Sequence, residues 1–171
     1  MLLNTVLILI ILFLFFLLSM FWPPDSPWAP WWRTNSKTAK AIFKLAKTKK
    51  GDIVYDLGCG DGTVLITGYK NYEIKGVGIE IDPLRYLISK IRVKLNKASE
   101  NIIIERNNFF EVSLKKADLI IVYLVPKTLE KLLPKFKKEL RKGTKLISYV
   151  YEMDLPLKEY DKKNKLRLYV I

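Results

Sequence analysis

Apolar side chains follow two patterns along the chain. From Val6 to Leu18 they are continuous, and no charge precedes Asp25; after Arg33, apolar runs alternate with amphipathic stretches. The first pattern predicts a transmembrane helix over residues 1–22, since roughly 20 helical residues cross a hydrocarbon core of about 30 Å. A cleaved signal peptide is disfavoured, because no basic residue opens the segment and Ser19-Met20-Phe21-Trp22 offers no small-residue cleavage site. Residues 23–33 are rich in Pro and Trp and read as a stiff juxtamembrane linker. Trp22 and Trp28 are expected at headgroup depth, and Trp31 and Trp32 there or at a substrate entrance. No Lys or Arg precedes the apolar segment, whereas Arg33, Lys37, Lys40 and Lys44 follow it. By the positive-inside rule the protein is expected to be single-pass, with its body, residues 34–171, on the cytoplasmic side.

Within the body, Ala39, Ile42, Phe43 and Ala46 recur at helical spacing after the capping candidates Thr34 and Asn35. Strands are expected at 52–57, 74–81, 101–105, 118–124, 145–151 and 165–171, with 157–160 as a short hairpin partner to the last. Helices are expected over 64–69, after the Asp82-Pro83 start signal, and from Pro126 to a stop at Gly143. In the second of these Leu84, Leu87, Ile88, Ile91 and Leu95 keep the helical spacing of an amphipathic stripe. In the third, Pro134 should break or kink the helix. This alternation predicts an α/β, Rossmann-like, doubly wound and mostly parallel sheet with an antiparallel C-terminal strand.

Composition narrows the chemistry. The chain has 171 residues, no His and one Cys. Histidine bases, an intramolecular disulfide and a thiolate metal cluster are therefore excluded, and no metal is expected. Residues 33–171 hold all 30 Lys and Arg and all but one of the 17 Asp and Glu, so the body carries +14 of a net +13. Such a charge suits nucleic acid or an anionic membrane surface.

The expected first strand runs into Asp56-Leu57-Gly58-Cys59-Gly60-Asp61-Gly62-Thr63. Alternate glycines allow a tight strand-to-helix turn with close backbone approach to a ligand. A phosphate-binding P-loop is excluded because no Gly-Lys-Ser/Thr follows. An acid at position 56 repels phosphate and suits an ammonium. Glu80, ending the second strand, is placed to accept from both hydroxyls of a ribose. Asn108 suits an adenine edge and Phe109 its face. Amino acid, ribose and adenine together describe S-adenosylmethionine, and Cys59 reads as the small residue the turn tolerates.

Val54 to Gly62 and Gly78-Ile79-Glu80-Ile81-Asp82 resemble the first two motifs of class I, seven-strand methyltransferases. Thr34, the 36–47 helix, the stretch from Asn108 to Val112 and that from Leu133 to Thr144 further resemble a family of small protein-lysine methyltransferases. That family includes the enzymes of the ATP synthase c-subunit and the adenine nucleotide translocase, and archaeal relatives. The resemblance covers roughly residues 31–171 and implies S-adenosylmethionine as cofactor. It implies a cofactor set of Asp56, Gly58, Cys59, Gly60, Asp61, Gly62, Glu80, Ile81, Asn108 and Phe109. The family's proline-threonine-proline appears here as Arg33-Thr34-Asn35, so the lip keeps its threonine and loses both prolines.

Methyl transfer from a sulfonium is an in-line displacement that needs alignment and exclusion of water. A lysine acceptor must arrive neutral, which an apolar channel favours. Tyr123-Leu124-Val125-Pro126 and, opposite, Trp32 and Thr34 are the expected channel, with Tyr123 and Thr34 positioning the acceptor. The expected partner is a protein substrate offering lysine, a membrane protein being one candidate. Nucleic acid is disfavoured because the strand-four end lacks the Asn/Asp-Pro-Pro-aromatic signature of amino-directed enzymes. A lipid or quinone acceptor, and a non-enzymatic cofactor-binding module, are the remaining alternatives.

Overall fold

The computed structural model describes residues 2–21 and 33–171. The linker up to residue 32, with Trp22, Trp28, Trp31 and Trp32, lies outside the described residues. Leu2–Phe21 form helix α1. Its described side chains, residues 4–15, are all exposed. Among the described residues no helix is long and apolar enough to cross a membrane. The expectation over residues 1–22 is thus met by a helix, Leu2–Phe21, and not by a span among the described residues.

The body is a seven-stranded sheet with order β3-β2-β1-β4-β5-β7-β6. The strands are β1 (Ile53–Leu57), β2 (Lys75–Ile79), β3 (Ile102–Glu105), β4 (Leu119–Val122), β5 (Lys145–Tyr149), β6 (Leu157–Asp161) and β7 (Leu166–Val170). The first five pair in parallel, while β7 runs antiparallel to both β5 and β6. The expected α/β sheet and C-terminal hairpin are both present. One core cluster joins Ala39, Ile42, Phe43, Leu65 and Ile121, and a second joins Leu57, Ile120, Leu129, Leu132 and Phe136.

Helix α2 (Ser36–Leu45) begins at Asn35, whose side chain accepts from the Thr38 N–H at 2.8 Å. That bond satisfies a donor the helix start leaves free, and it settles the cap on Asn35 instead of Thr34. Helix α3 (Thr63–Tyr72) packs on α2 at Gly68, where an added Cβ would lie 2.4 Å from Phe43 Cζ. Helix α4 (Pro83–Leu95) is capped by Asp82, which accepts from Arg85 N–H at 2.8 Å. Its stripe does not face the core: Leu87, Ile88, Ile91 and Leu95 are exposed, while Ser89 and Val93 are the buried residues. The inward side of α4 is formed by Tyr86, Ser89 and Val93, which turns the aliphatic stripe outward.

Helix α5 (Pro126–Glu139) contains Pro134, so the expected break does not occur. Pro134 and Glu130, whose carbonyl loses its helical donor, both lie on the exposed side where water can take over. Leu129, Leu132 and Phe136 hold the opposite side in the core. Lys135 also donates to Glu139 at 2.7 Å across the last turn.

Candidate functional site

The parallel strands end on one side of the sheet, and the strand order reverses between β1 and β4. Ligands of open α/β sheets bind at such a point. Here it opens into a cleft of about 1030 Å³, open mouth included.

Past β1 the chain turns through Gly58, Gly60 and Gly62, all at positive φ (82°, 55° and 73°), where a Cβ is strained. The N–H groups of Gly58 and Cys59 donate to the Ile79 carbonyl at 2.8 and 3.0 Å, tying the loop to the end of β2. Glu80 fastens it from the other side. One carboxylate oxygen accepts from Gly60 N–H at 2.9 Å and the other from Asp82 N–H at 3.0 Å. Each oxygen retains a lone pair for a further donor.

Asp56 and Glu80 are both only 6% exposed. Burial, and then the charges of Glu80 and Asp61, push the Asp56 carboxyl up to about 7. Burial also raises Glu80, opposed by the N–H groups of Asp82 and Gly60. Two desolvated acids at one cleft make a site that gains most from a cationic ligand bearing hydroxyl donors. Asp61 is spent differently. It pairs with Arg33 at 2.8 Å and with Arg92, and it accepts from the Thr63 hydroxyl at 2.7 Å and the Thr63 N–H at 3.0 Å. Its carboxylate thereby fixes the start of α3 and holds Arg33 at the lip.

Across the cleft, Tyr123 follows β4 and Tyr149 ends β5, with ring centroids 4.4 Å apart; the Tyr151 ring lies 6.5 Å from Tyr123. Burial, then Tyr149 and Tyr151, raise the Tyr123 phenol, so it stays neutral at pH 7. Val150 sits between the last two tyrosines at φ 70°, a conformation costly for a β-branched residue. A γ-turn closes around it, with Tyr151 N–H donating to Tyr149 O at 2.9 Å. Ser148 Oγ donates to Tyr151 O at 2.5 Å, and Arg167 donates to Val150 O. The strained turn is what brings both tyrosines to Tyr123.

Residues 56–156 match the ANTKMT methyltransferase domain. The chain belongs to that family. The methyltransferase is 36% identical over 135 residues to a protein-lysine N-methyltransferase of Saccharolobus islandicus, covering 78% of this chain and 82% of that protein. It is 28% identical over 116 residues to a ribosomal protein L11 methyltransferase of Alkaliphilus oremlandii, covering 67% of this chain and 37% of that one. The crystal structure of an RNA methyltransferase from Salinibacter ruber in complex with S-adenosyl-L-homocysteine superposes with a TM-score of 0.79 at 26% identity, over 82% of this chain and 94% of that one. The class I, S-adenosylmethionine-dependent methyltransferase expected from the sequence is thereby borne out.

Nine of the ten expected cofactor residues of this methyltransferase line the cleft, as do Thr34 and Tyr123. Gly62 does not. Its hydrogen faces α4, where a Cβ would lie 3.4 Å from Ser89 Cβ, so it serves helix packing. Asn108 is partly committed to its own turn, its carboxamide oxygen accepting from Phe110 N–H at 3.1 Å. That turn presents Phe109, whose ring packs 4.9 Å from that of Phe110. Leu124 lines the cleft, but Val125 and Pro126 of the expected channel do not, because α5 starts there and leads the chain away. Cys59 is buried, and burial raises its thiol well above the usual range, which suits a filler and not a nucleophile.

Sequence reasoning missed Tyr149, Tyr151 and the Arg33–Asp61 pair. The two tyrosines were read as part of one straight strand, 145–151, and no local signal marks a β-branched residue at positive φ. Arg33 reads from the sequence as a flanking charge and as part of the Arg33-Thr34-Asn35 lip, with nothing local to mark Asp61 as its partner.

Proposed function

We propose that this methyltransferase transfers a methyl group from S-adenosylmethionine to the side-chain amine of a lysine in a protein substrate at a membrane. The observation that carries the reading is the acceptor wall. Tyr123, Tyr149, Leu124 and Ile121 line that side of the cleft and bring neither a carboxylate nor an amide. Such a wall penalises an ammonium and favours the neutral amine that reacts. The name of the Saccharolobus islandicus relative supports the same substrate class.

When bound, S-adenosylmethionine supplies an electrophilic methyl on a sulfonium. Asp56 would hold the ammonium of the methionyl part, Glu80 the ribose hydroxyls, and Ile81, Asn108 and Phe109 the adenine. Tyr123 accepts an amine hydrogen at its phenol oxygen, aiming the nitrogen lone pair into the cleft, while Thr34 borders the opposite lip. The wall excludes water. The proton leaves the product amine to solvent, so no general base is required.

The membrane part of the reading rests on α1. Val6 to Phe15 are apolar throughout and between 45% and 68% exposed, a surface that water does not tolerate without a cover. The apolar segment holds the enzyme to the membrane, and the cations from Arg33 to Lys44 favour the cytoplasmic face, where anionic lipid attracts the +14 body.

The test incubates the full chain and labelled S-adenosylmethionine with membrane and soluble fractions and locates the label by mass spectrometry. Label on lysine of membrane-fraction proteins is expected. A second reading, methylation of RNA, is favoured by the name of the Salinibacter ruber neighbour and by the basic charge. Label confined to nucleic acid or lipid would overturn the lysine assignment in its favour or in that of a lipid acceptor.

A further inference from the structure

Helix α4 presents its apolar side to solvent. At about 100° per residue, Leu84, Leu87, Ile88, Ile91 and Leu95 span one stripe, and Tyr86, Ser89 and Val93 lie diametrically opposite it against the body. The exposures are 52% for Leu87, 38% for Ile88, 49% for Ile91 and 76% for Leu95. Before the helix, Ile81 is a further exposed apolar residue, 42% exposed at the cleft. Water penalises such a continuous patch unless something covers it.

The charges say what covers it. Residues 83–95 contain two Arg and two Lys and no acid. On the helical wheel Lys90 and Lys94 flank the stripe on one side, Arg85 and Arg92 on the other. Arg92 is turned inward to Asp61, whereas Lys90 and Lys94 are exposed. A docked protein would need an acidic frame around an apolar centre. An anionic bilayer offers that arrangement everywhere, and an apolar stripe bordered by lysines is the pattern of interfacial helices.

We propose that the outer face of α4, Leu87, Ile88, Ile91 and Leu95 with Lys90 and Lys94, lies in the interface of an anionic lipid bilayer. The helix starts at the cleft, whose lining includes Ile81 and Arg85. Docking it places the cleft mouth alongside the bilayer surface, where the exposed part of a membrane protein would reach the tyrosine wall. The inference deepens the membrane reading above and rests on it.

The full chain carrying Leu95→Cys, labelled with a polarity-sensitive thiol dye, is mixed with vesicles of phosphatidylcholine and phosphatidylglycerol, or of phosphatidylcholine alone. Cys59 is buried and stays unlabelled, and Glu159→Cys on the opposite sheet edge is the reference. On anionic vesicles the dye at position 95 is expected to shift to shorter wavelength and to lose iodide quenching severalfold, while that at 159 stays wet. Lys90→Glu with Lys94→Glu is expected to reverse the protection. Ile91→Glu with Leu95→Glu is expected to leave cofactor affinity by calorimetry unchanged, showing that the fold survives.

If the chain floats with vesicles but position 95 stays wet, this inference fails and the membrane reading stands. If the chain does not float, both fail. Protection that arises without vesicles and grows with protein concentration assigns the face to a second copy and overturns the proposal. Equal protection on neutral vesicles, untouched by the two charge reversals, overturns the anionic recognition.

Discussion

Asp56 illustrates how one side chain reports on the whole site. With its carboxyl raised to about 7, folding disfavours its ionised form. Its folded value exceeds the unfolded one, so native stability falls as pH rises from about 4 to about 7 and is level above that. Asp56→Asn is expected to stabilise the ligand-free protein at pH 8 by up to about 4 kcal/mol, read from denaturant unfolding. The same substitution should weaken S-adenosylmethionine binding. In the unmodified protein, affinity should drop up to about tenfold per pH unit below 7, because ammonium binding must first expel the Asp56 proton. Calorimetry in buffers of different ionisation enthalpy should detect that proton release, and an affinity flat from pH 5 to 8 would contradict it. At Val150 the strain has the opposite sense. Val150→Gly is expected to raise stability by about 1 kcal/mol, since glycine adopts φ 70° freely, and to lower turnover by loosening Tyr149 and Tyr151. Thermal unfolding and a methylation assay, run together, check the pair of effects.

At the scale of the element, close packing and helix propensity pull in opposite directions. Glycine inside a helix ordinarily costs about 1 kcal/mol against alanine. In α3, however, a Cβ on Gly68 would meet Phe43 at 2.4 Å and Ile74 at 2.7 Å. Gly68→Ala is therefore expected to destabilise by about 1–3 kcal/mol, pushing α3 off α2. An increase in the unfolding midpoint would show that α2 can yield. Pro134 in α5 is the converse case. Both the proline and Glu130 face solvent, so Pro134→Ala should restore a helical bond without a clash and gain about 1–2 kcal/mol, less than the roughly 3 kcal/mol proline costs in a model helix. Circular dichroism melting distinguishes that from no change. The existence and type of every body element were legible from periodicity, and the cap at Asp82 from the Asp-Pro pair, whereas the choice of Asn35 over Thr34 was settled by the folded backbone. The buried side was legible for α2 and α5 but not for α4, because a stripe at helical spacing looks the same whether it faces a sheet or solvent.

For the molecule as a whole, sheet order decides where chemistry takes place. Placing β4 beside β1 brings Tyr123 to Asp56, and placing β5 beside β4 adds Tyr149. The absence of histidine leaves few groups to titrate near neutrality, so the pH response there should be read largely from Asp56. The net charge of +13 also acts at this scale. If the body is drawn to anionic lipid while α1 anchors the chain, high salt should weaken the first and spare the second. Raising the salt to about 1 M, where screening acts within about 3 Å, should leave the full chain in the membrane pellet. Lipid protection of α4 should fall at the same time. Release of the whole chain by salt would show that α1 does not anchor it.

Features that depend on neighbours along the chain are legible in residue order. Asp56 with its glycines, Glu80 before its helix, the alternation of strand and helix and the apolar segment before Arg33 could all be read in order, because backbone geometry and burial periodicity act over a few residues. Relations between distant positions arise from the packed fold. It turned Gly62 toward Ser89, paired Arg33 with Asp61, bent the chain at Val150 so that two tyrosines meet a third, and left the apolar side of α4 outward. Each of these depends on which surfaces come to touch, and contact between elements is set by the shape of the packed core, not by spacing in the chain.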